Sequence, residues 1–209
     1  MSTTIRAILD RRLIAIVRLS NYNAAREVAQ ALIAGGISII EFTLTGTGAL
    51  AAIASMREVC GESAYIGAGT VLTPHDVEEV AQAGAQFVVT PILNHQVIEA
   101  CHYFSLPIAC GALTPTEIQS AYEAGAELVK VFPASQVGPQ YLRDILAPLP
   151  HLRLVPTGGV SALNAGDYLK AGAVAVAIGG NLVSERAVAS SDWEHITRRA
   201  QECVRAVQV

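Results

Sequence analysis

Four stretches of this 209-residue chain repeat one short phrase. "IAGGISIIEF", "QAGAQFVVTP", "EAGAELVKVF" and "KAGAVAVAIG" each close a helical pattern on alanine-glycine and then enter a short apolar run. Glycine tolerates the left-handed conformation that ends many helices, so Gly35, Gly84, Gly125 and Gly172 are expected to be C-cap glycines. The runs that follow carry the β-branched residues of strands buried on both faces. Helix starts are punctuated as well. Thr73-Pro74-His75-Asp76 and Thr114-Pro115-Thr116-Glu117 each place a capping threonine, a proline at the first helical position and an acid two residues later. A chain that repeats helix stop, strand and helix start is a series of βα units, which commits it to a parallel sheet.

Eight such strands can be counted: 13–17, 37–44, 64–69, 86–90, 106–110, 127–132, 152–157 and 173–179. Their spacing of roughly 20–27 residues fits an α/β fold of the (β/α)8 TIM-barrel type, in one domain spanning 1–209. A helix at about 3–11 is expected to cap the bottom of the barrel, and one at 192–207 to close the ring of helices. A doubly wound open sheet would want a glycine-rich turn after the first strand. Here that turn reads "RLSNYNAA", without glycine.

Composition narrows the partners. Hydrophobic residues make up 52% of the chain and charged residues 15%, an apolar balance that suits burial of some surface in an oligomer. The net charge is −4, and the only basic pairs are Arg11-Arg12 and Arg198-Arg199, so no nucleic-acid stripe is expected. The longest uncharged run, 80–98, is broken by polar residues and proline, which argues against a membrane span. The N-terminus lacks the apolar centre of a secretion signal. Cys60, Cys101, Cys110 and Cys203 show no paired spacing, and reduced thiols in a cytoplasm are the simplest expectation.

In such a barrel the C-terminal ends of the strands build the active site, so polar residues there are the candidates. Lys130 interrupts the sixth strand, and the chain has only one other lysine, Lys170. An amine in apolar surroundings loses hydration, which lowers its pKa and makes it a nucleophile for a carbonyl carbon. The bland alternative is a lysine that snorkels from a strand end. Glu41 interrupts the second strand in the same manner, and a carboxylate beside an amine can carry protons through imine formation. A purely structural buried ion pair would stabilise little.

Arg18, at the end of the first strand, suits a substrate carboxylate; a loop ion pair is the other reading. Thr70, at the end of the third, is a further candidate or else a helix cap. "VPTGGVS" and "AIGGNL" place glycine pairs in the last two strand-to-helix loops, where barrels often hold phosphate on backbone N–H groups. The five histidines, His75, His95, His102, His151 and His195, are scattered without metal-ligand spacing, so no metal is expected.

In order along the chain, "GGISIIEFTL", "IGAGTVLTP", "GAQFVVTP", "LVKVFPAS", "PTGGVS" and "AIGG" together resemble the class I aldolases that cleave 2-keto-3-deoxy-6-phosphogluconate or 4-hydroxy-2-oxoglutarate. The resemblance runs from about residue 13 to about 185. It implies a cofactor-free homotrimer of barrels acting on a small keto acid, with Lys130 as the Schiff-base lysine and Glu41 as the general acid/base. It further implies that Thr70 and Pro91 line the pyruvate end, that Thr157 lies near the substrate, and that Gly158, Gly159, Gly180 and Asn181 bind phosphate. Two positions depart from the pattern. Thr45 stands where many members carry an arginine that grips the pyruvate carboxylate, and Asn181 stands where serine is common. "VGPQYLRDI" is similar to the phosphogalactonate aldolases, which makes that activity an alternative. A barrel that binds sugar phosphate without catalysis, and an isomerase or epimerase, are further alternatives, but neither gives the Lys130/Glu41 pair a role.

Overall fold

Capping chemistry sets the first element. Ser2 accepts a hydrogen bond from the Ile5 N–H and starts α1 (Thr3–Arg11), which ends with Arg12 in the left-handed conformation. The computed structural model describes residues 1–209. After α1 come β1 (Leu13–Val17), α2 (Ala25–Ala34), β2 (Ile39–Thr43), α3 (Ala49–Cys60), β3 (Tyr65–Gly69), α4 (Pro74–Gln82), β4 (Val88–Val89), α5 (His95–Tyr103) and β5 (Ile108–Ala112). They are followed by α6 (Pro115–Glu123), β6 (Leu128–Val131), α7 (Gly138–Leu146), β7 (Leu154–Pro156), α8 (Ala165–Lys170), β8 (Val176–Ile178), α9 (Glu185–Ala189) and α10 (Trp193–Ala206). No helix is long and apolar enough to cross a membrane.

The eight strands form one parallel sheet in the order β7-β6-β5-β4-β3-β2-β1-β8. Its two edges meet where Thr157 bridges Ala177 and the Val174 N–H donates to the Leu154 carbonyl at 3.0 Å. The barrel is thereby closed, as expected. Several strands are shorter than their apolar runs, because burial extends beyond the residues that join the ladder. β4 keeps only Val88–Val89 of 86–90. β5 is displaced to Ile108–Ala112, since Pro107 has no N–H to give the ladder.

The capping boxes form as read. Thr73 and Thr114 each accept from the backbone N–H three residues on, and Asp76 and Glu117 reach back to the capping N–H groups. Gly84, Gly125 and Gly172 take positive φ at the ends of their helices. Gly35 does not. Its φ is −82°, and the left-handed position belongs to the next residue, Gly36, at +92°. Gly35 serves packing instead: a Cβ there would fall on Ala200, so its absence lets α10 approach α2 closely.

Apolar side chains divide into two shells. The larger lies between barrel and helices and contains Ile40, Phe42, Val129 and Val131. The smaller fills the barrel with Ile14, Ile16, Ile39, Phe87, Leu128 and Val155, and Ile5 and Ile8 of α1 join it. Tyr65 and Val174, near the starts of their strands, pack on that same cluster. α1 therefore plugs the N-terminal end of the barrel and leaves the C-terminal end for a site.

Candidate active site

Alternation along β2 and β6 decides where the two polar interruptions point. Ile40 and Phe42 face the helices while Ile39 faces the interior, so Glu41 faces inward. Val129 and Val131 face the helices and Leu128 the interior, so Lys130 does too. Lys130 is 3% exposed and Glu41 1%. Burial pushes the Lys130 ammonium below the usual lysine range, against the opposing pull of Glu41, and nearby Arg18 adds to the fall. Burial likewise pushes the Glu41 carboxyl up, against the charges of Lys130 and Arg18. The pair thus sense each other without forming an ion pair. Neither oxygen of Glu41 has a hydrogen-bond partner within the protein. Buried polar atoms are nearly always satisfied, so an orphaned carboxyl inside a barrel marks a place built for something other than stability.

Glycines make the room. Glu41 pairs in register with Gly67, and Gly69 lies two residues further along β3. A Cβ on Gly69 would overlap the Glu41 carboxylate, and one on Gly67 would enter the Phe87 ring. Lys130 pairs with Gly111 of β5 on one side and Val155 of β7 on the other. A Cβ on Gly111 would collide with the backbone of Pro91, so the Pro91 turn lies directly beside the strand position next to Lys130. Thr90, which the sequence reading passed over, pins that turn. Its hydroxyl accepts from the Gly111 N–H at 2.9 Å and donates to the Ile92 carbonyl at 2.7 Å.

Thr70 is not a helix cap; Thr73 is. Instead Thr70 follows β3 with φ +57°, a conformation that costs a β-branched residue roughly 1–3 kcal/mol and that clusters at functional sites. Thr45 is exposed, and its hydroxyl lies 2.8 Å from that of Thr43, which in turn lies 3.1 Å from the Tyr22 hydroxyl.

Arg18 follows β1, the strand paired directly with β2, and its charge acts on Glu41. It lines a cleft of about 380 Å³ together with Phe132, Thr157, Gly158, Gly159, Gly180 and Asn181. The guanidinium makes neither a hydrogen bond nor an ion pair within the protein. Gly158 and Gly159 have φ of +88° and +77°, and none of the N–H groups of Gly158, Gly159, Gly180 and Asn181 donates to another protein group. Four free amides and an unpaired arginine in one cleft suit an anion. The Asn181 side chain is not among the free groups, because its amide donates to the Val160 carbonyl at 3.1 Å. Phe132 joins the two regions: its ring lines the cleft, and Lys130 Nζ lies 5.1 Å from the ring centre.

The structure thus gathers Lys130, Glu41, Pro91, Arg18, Thr157 and both glycine loops at one end of the barrel. What the sequence reading missed are Gly69, Gly111 and Thr90, which shape the site without chemistry of their own. The glycines had a signal in "YIGAG", where Gly67 and Gly69 share one face of a strand.

A family model described as KDPG and KHG aldolase matches residues 5–199. The chain is 36% identical over 210 residues to the 2-dehydro-3-deoxy-phosphogluconate aldolase of Treponema pallidum, with 100% of each covered. It is 35% identical over 196 residues to the KHG/KDPG aldolase of Escherichia coli K12, covering 93% of this chain and 91% of that one. Among solved structures it superposes with a TM-score of 0.87 and 29% identity on the KDPG aldolase of Legionella pneumophila, in which pyruvate was captured at low pH as a covalent carbinolamine intermediate. That match covers 93% of this chain and 95% of the other.

Proposed function

The chain belongs to the KDPG and KHG aldolase family, a family of lyases, and on that premise we propose that it cleaves 2-keto-3-deoxy-6-phosphogluconate to pyruvate and glyceraldehyde 3-phosphate, or 4-hydroxy-2-oxoglutarate to pyruvate and glyoxylate, through a Schiff base on Lys130. The observation that carries this reading is a buried lysine, its pKa lowered, facing a buried and unpartnered carboxyl within one barrel. The carbinolamine trapped in the Legionella pneumophila relative supports the covalent route.

Lys130 acts as the neutral amine. Its nitrogen bonds to the C2 carbonyl carbon, the carbonyl π pair goes to oxygen, and proton transfer from nitrogen to oxygen gives the carbinolamine. Glu41, its pKa raised by burial, gives a proton to the carbinolamine hydroxyl, which leaves as water and yields the iminium. The resulting carboxylate takes the proton of the C4 hydroxyl. The C3–C4 bond breaks, and its electron pair flows into the iminium to make an enamine while the aldehyde departs. Glu41 then returns the proton to C3, and water hydrolyses the imine to free pyruvate and Lys130. Splitting one barrier in two, with general acid/base help worth about 10²–10⁴-fold, requires no group beyond these side chains.

Thr70 fits the carboxylate end, Pro91 and Thr157 line the substrate, and Arg18, expected from the sequence to grip the carboxylate, instead shares its cleft with the amides of Gly158, Gly159, Gly180 and Asn181 and receives the phosphate with them. The four free and buried cysteines support a reducing, cytoplasmic setting. Solvent-exposed Leu72 and Ile92 support association, which we assign to a homotrimer.

Incubation with pyruvate and borohydride tests the chemistry. The expected result is a reduced adduct mapped by mass spectrometry to Lys130, and its absence there overturns the Schiff-base assignment. Lys130→Ala is expected to abolish pyruvate release on the gluconate, galactonate and hydroxyglutarate substrates while the protein stays folded by circular dichroism. Retained turnover would count equally against it.

A further inference from the structure

The cleft is lined by one cation and one carboxylate that do not form an ion pair. Arg18, the residue after β1, and Glu185, the first residue of α9, both line it, yet no ion pair joins them. The carboxylate engages Ser20 instead. The Ser20 N–H donates to Glu185 Oε1, and its hydroxyl lies 3.4 Å from Oε2, so both carboxylate oxygens face Ser20. This contact ties the loop after β1 to the loop after β8 across 165 residues of sequence. With the carboxylate on Ser20, Glu185 and Arg18 line the cleft without a direct ion pair.

We propose that Glu185 is a specificity-determining residue of this cleft, acting as a latch that holds the Arg18 loop and as a charge that disfavours a doubly charged substrate end relative to a singly charged one. The latch follows from the two Ser20 contacts. The discrimination follows from Coulomb's law, because repulsion scales with the product of the charges and a dianion meets twice the penalty of a monoanion at the same place. Glu185 is exposed, so its field is screened by salt over about 10 Å at 0.1 M. The free amides and Arg18 draw any anion in; Glu185 sets how much more a second charge gains.

The inference rests on the aldolase reading only for the choice of substrates. Two variants separate its halves. Glu185→Gln keeps an oxygen that the Ser20 N–H can use and removes the charge, whereas Glu185→Ala removes both. Inorganic phosphate is titrated calorimetrically into the full chain at low and at high salt. The expected result is that Glu185→Gln binds phosphate roughly threefold to tenfold more tightly at low salt, that the gain shrinks at high salt, and that Glu185→Ala gains less. In turnover, Glu185→Gln should raise kcat/KM for the phosphorylated gluconate relative to 4-hydroxy-2-oxoglutarate by a similar factor. Unchanged phosphate affinity in Glu185→Gln overturns the charge, and a Glu185→Ala variant that matches Glu185→Gln overturns the latch. Phosphate binding needs no turnover. A chain that shows the expected titrations but releases no pyruvate would sink the aldolase reading and leave this one standing.

Discussion

Burial in a dry barrel raises the free energy of the charged form of Lys130, a cost that fits the Schiff-base role proposed for it. Burial holds Lys130 below the ordinary lysine value near 10.5, so the unfolded chain binds more protons than the folded one. Stability from this group therefore rises with pH through the window between the lowered folded value and about 10.5. Lys130→Met is expected to stabilise the protein by about 0.5–2 kcal/mol at pH 7, with the gain shrinking as pH approaches 10. Urea unfolding at both pH values checks this, and an equal gain at both would contradict the assignment. At this scale much was legible: Lys130 and Glu41 stood out because each breaks an apolar run. Thr70 was legible only as a candidate, since its positive φ is a property of the folded backbone and not of its side chain.

Elements carry the shape of the site. β3 presents only glycine toward Glu41, and the carboxylate occupies the volume that a Gly69 side chain would take. Gly69→Ala is expected to displace Glu41 and lower pyruvate release about 10²-fold, as misplacement by an ångström does elsewhere. A coupled pyruvate assay, run beside a thermal melt to confirm folding, measures it; full activity would show that Glu41 does not depend on this space. Helix boundaries could be read closely from the sequence because capping is local: Thr73 and Thr114 bond within their own first turns. Gly35 shows the limit of that logic. In "AGG" the first glycine answers to α10, some 165 residues away, and only the second to its own helix.

Across the whole molecule, 52% hydrophobic against 15% charged residues is an apolar balance. Leu72 and Ile92, 43% and 54% exposed, leave apolar surface beside the mouth, where the Asn94 side chain ties the two loops by donating to the Leu72 carbonyl at 3.1 Å. Light scattering on the purified protein is expected to give three times the mass of one chain, and a single-chain mass would contradict the trimer. The eight-strand count came from punctuation repeated along the sequence, which is why the barrel was foreseeable. Which residues close it was not, because the Thr157–Ala177 bridge joins residues whose pairing depends on the accumulated twist and stagger of all eight strands. The βα order, the caps and the two polar residues on strand faces are written in the chain itself, because they follow from periods and turns a few residues long. That Gly69 yields its space to Glu41, that four amides remain free and that Ser20 engages Glu185 came from the folded molecule. Each of these depends on distances between segments that are far apart in the chain.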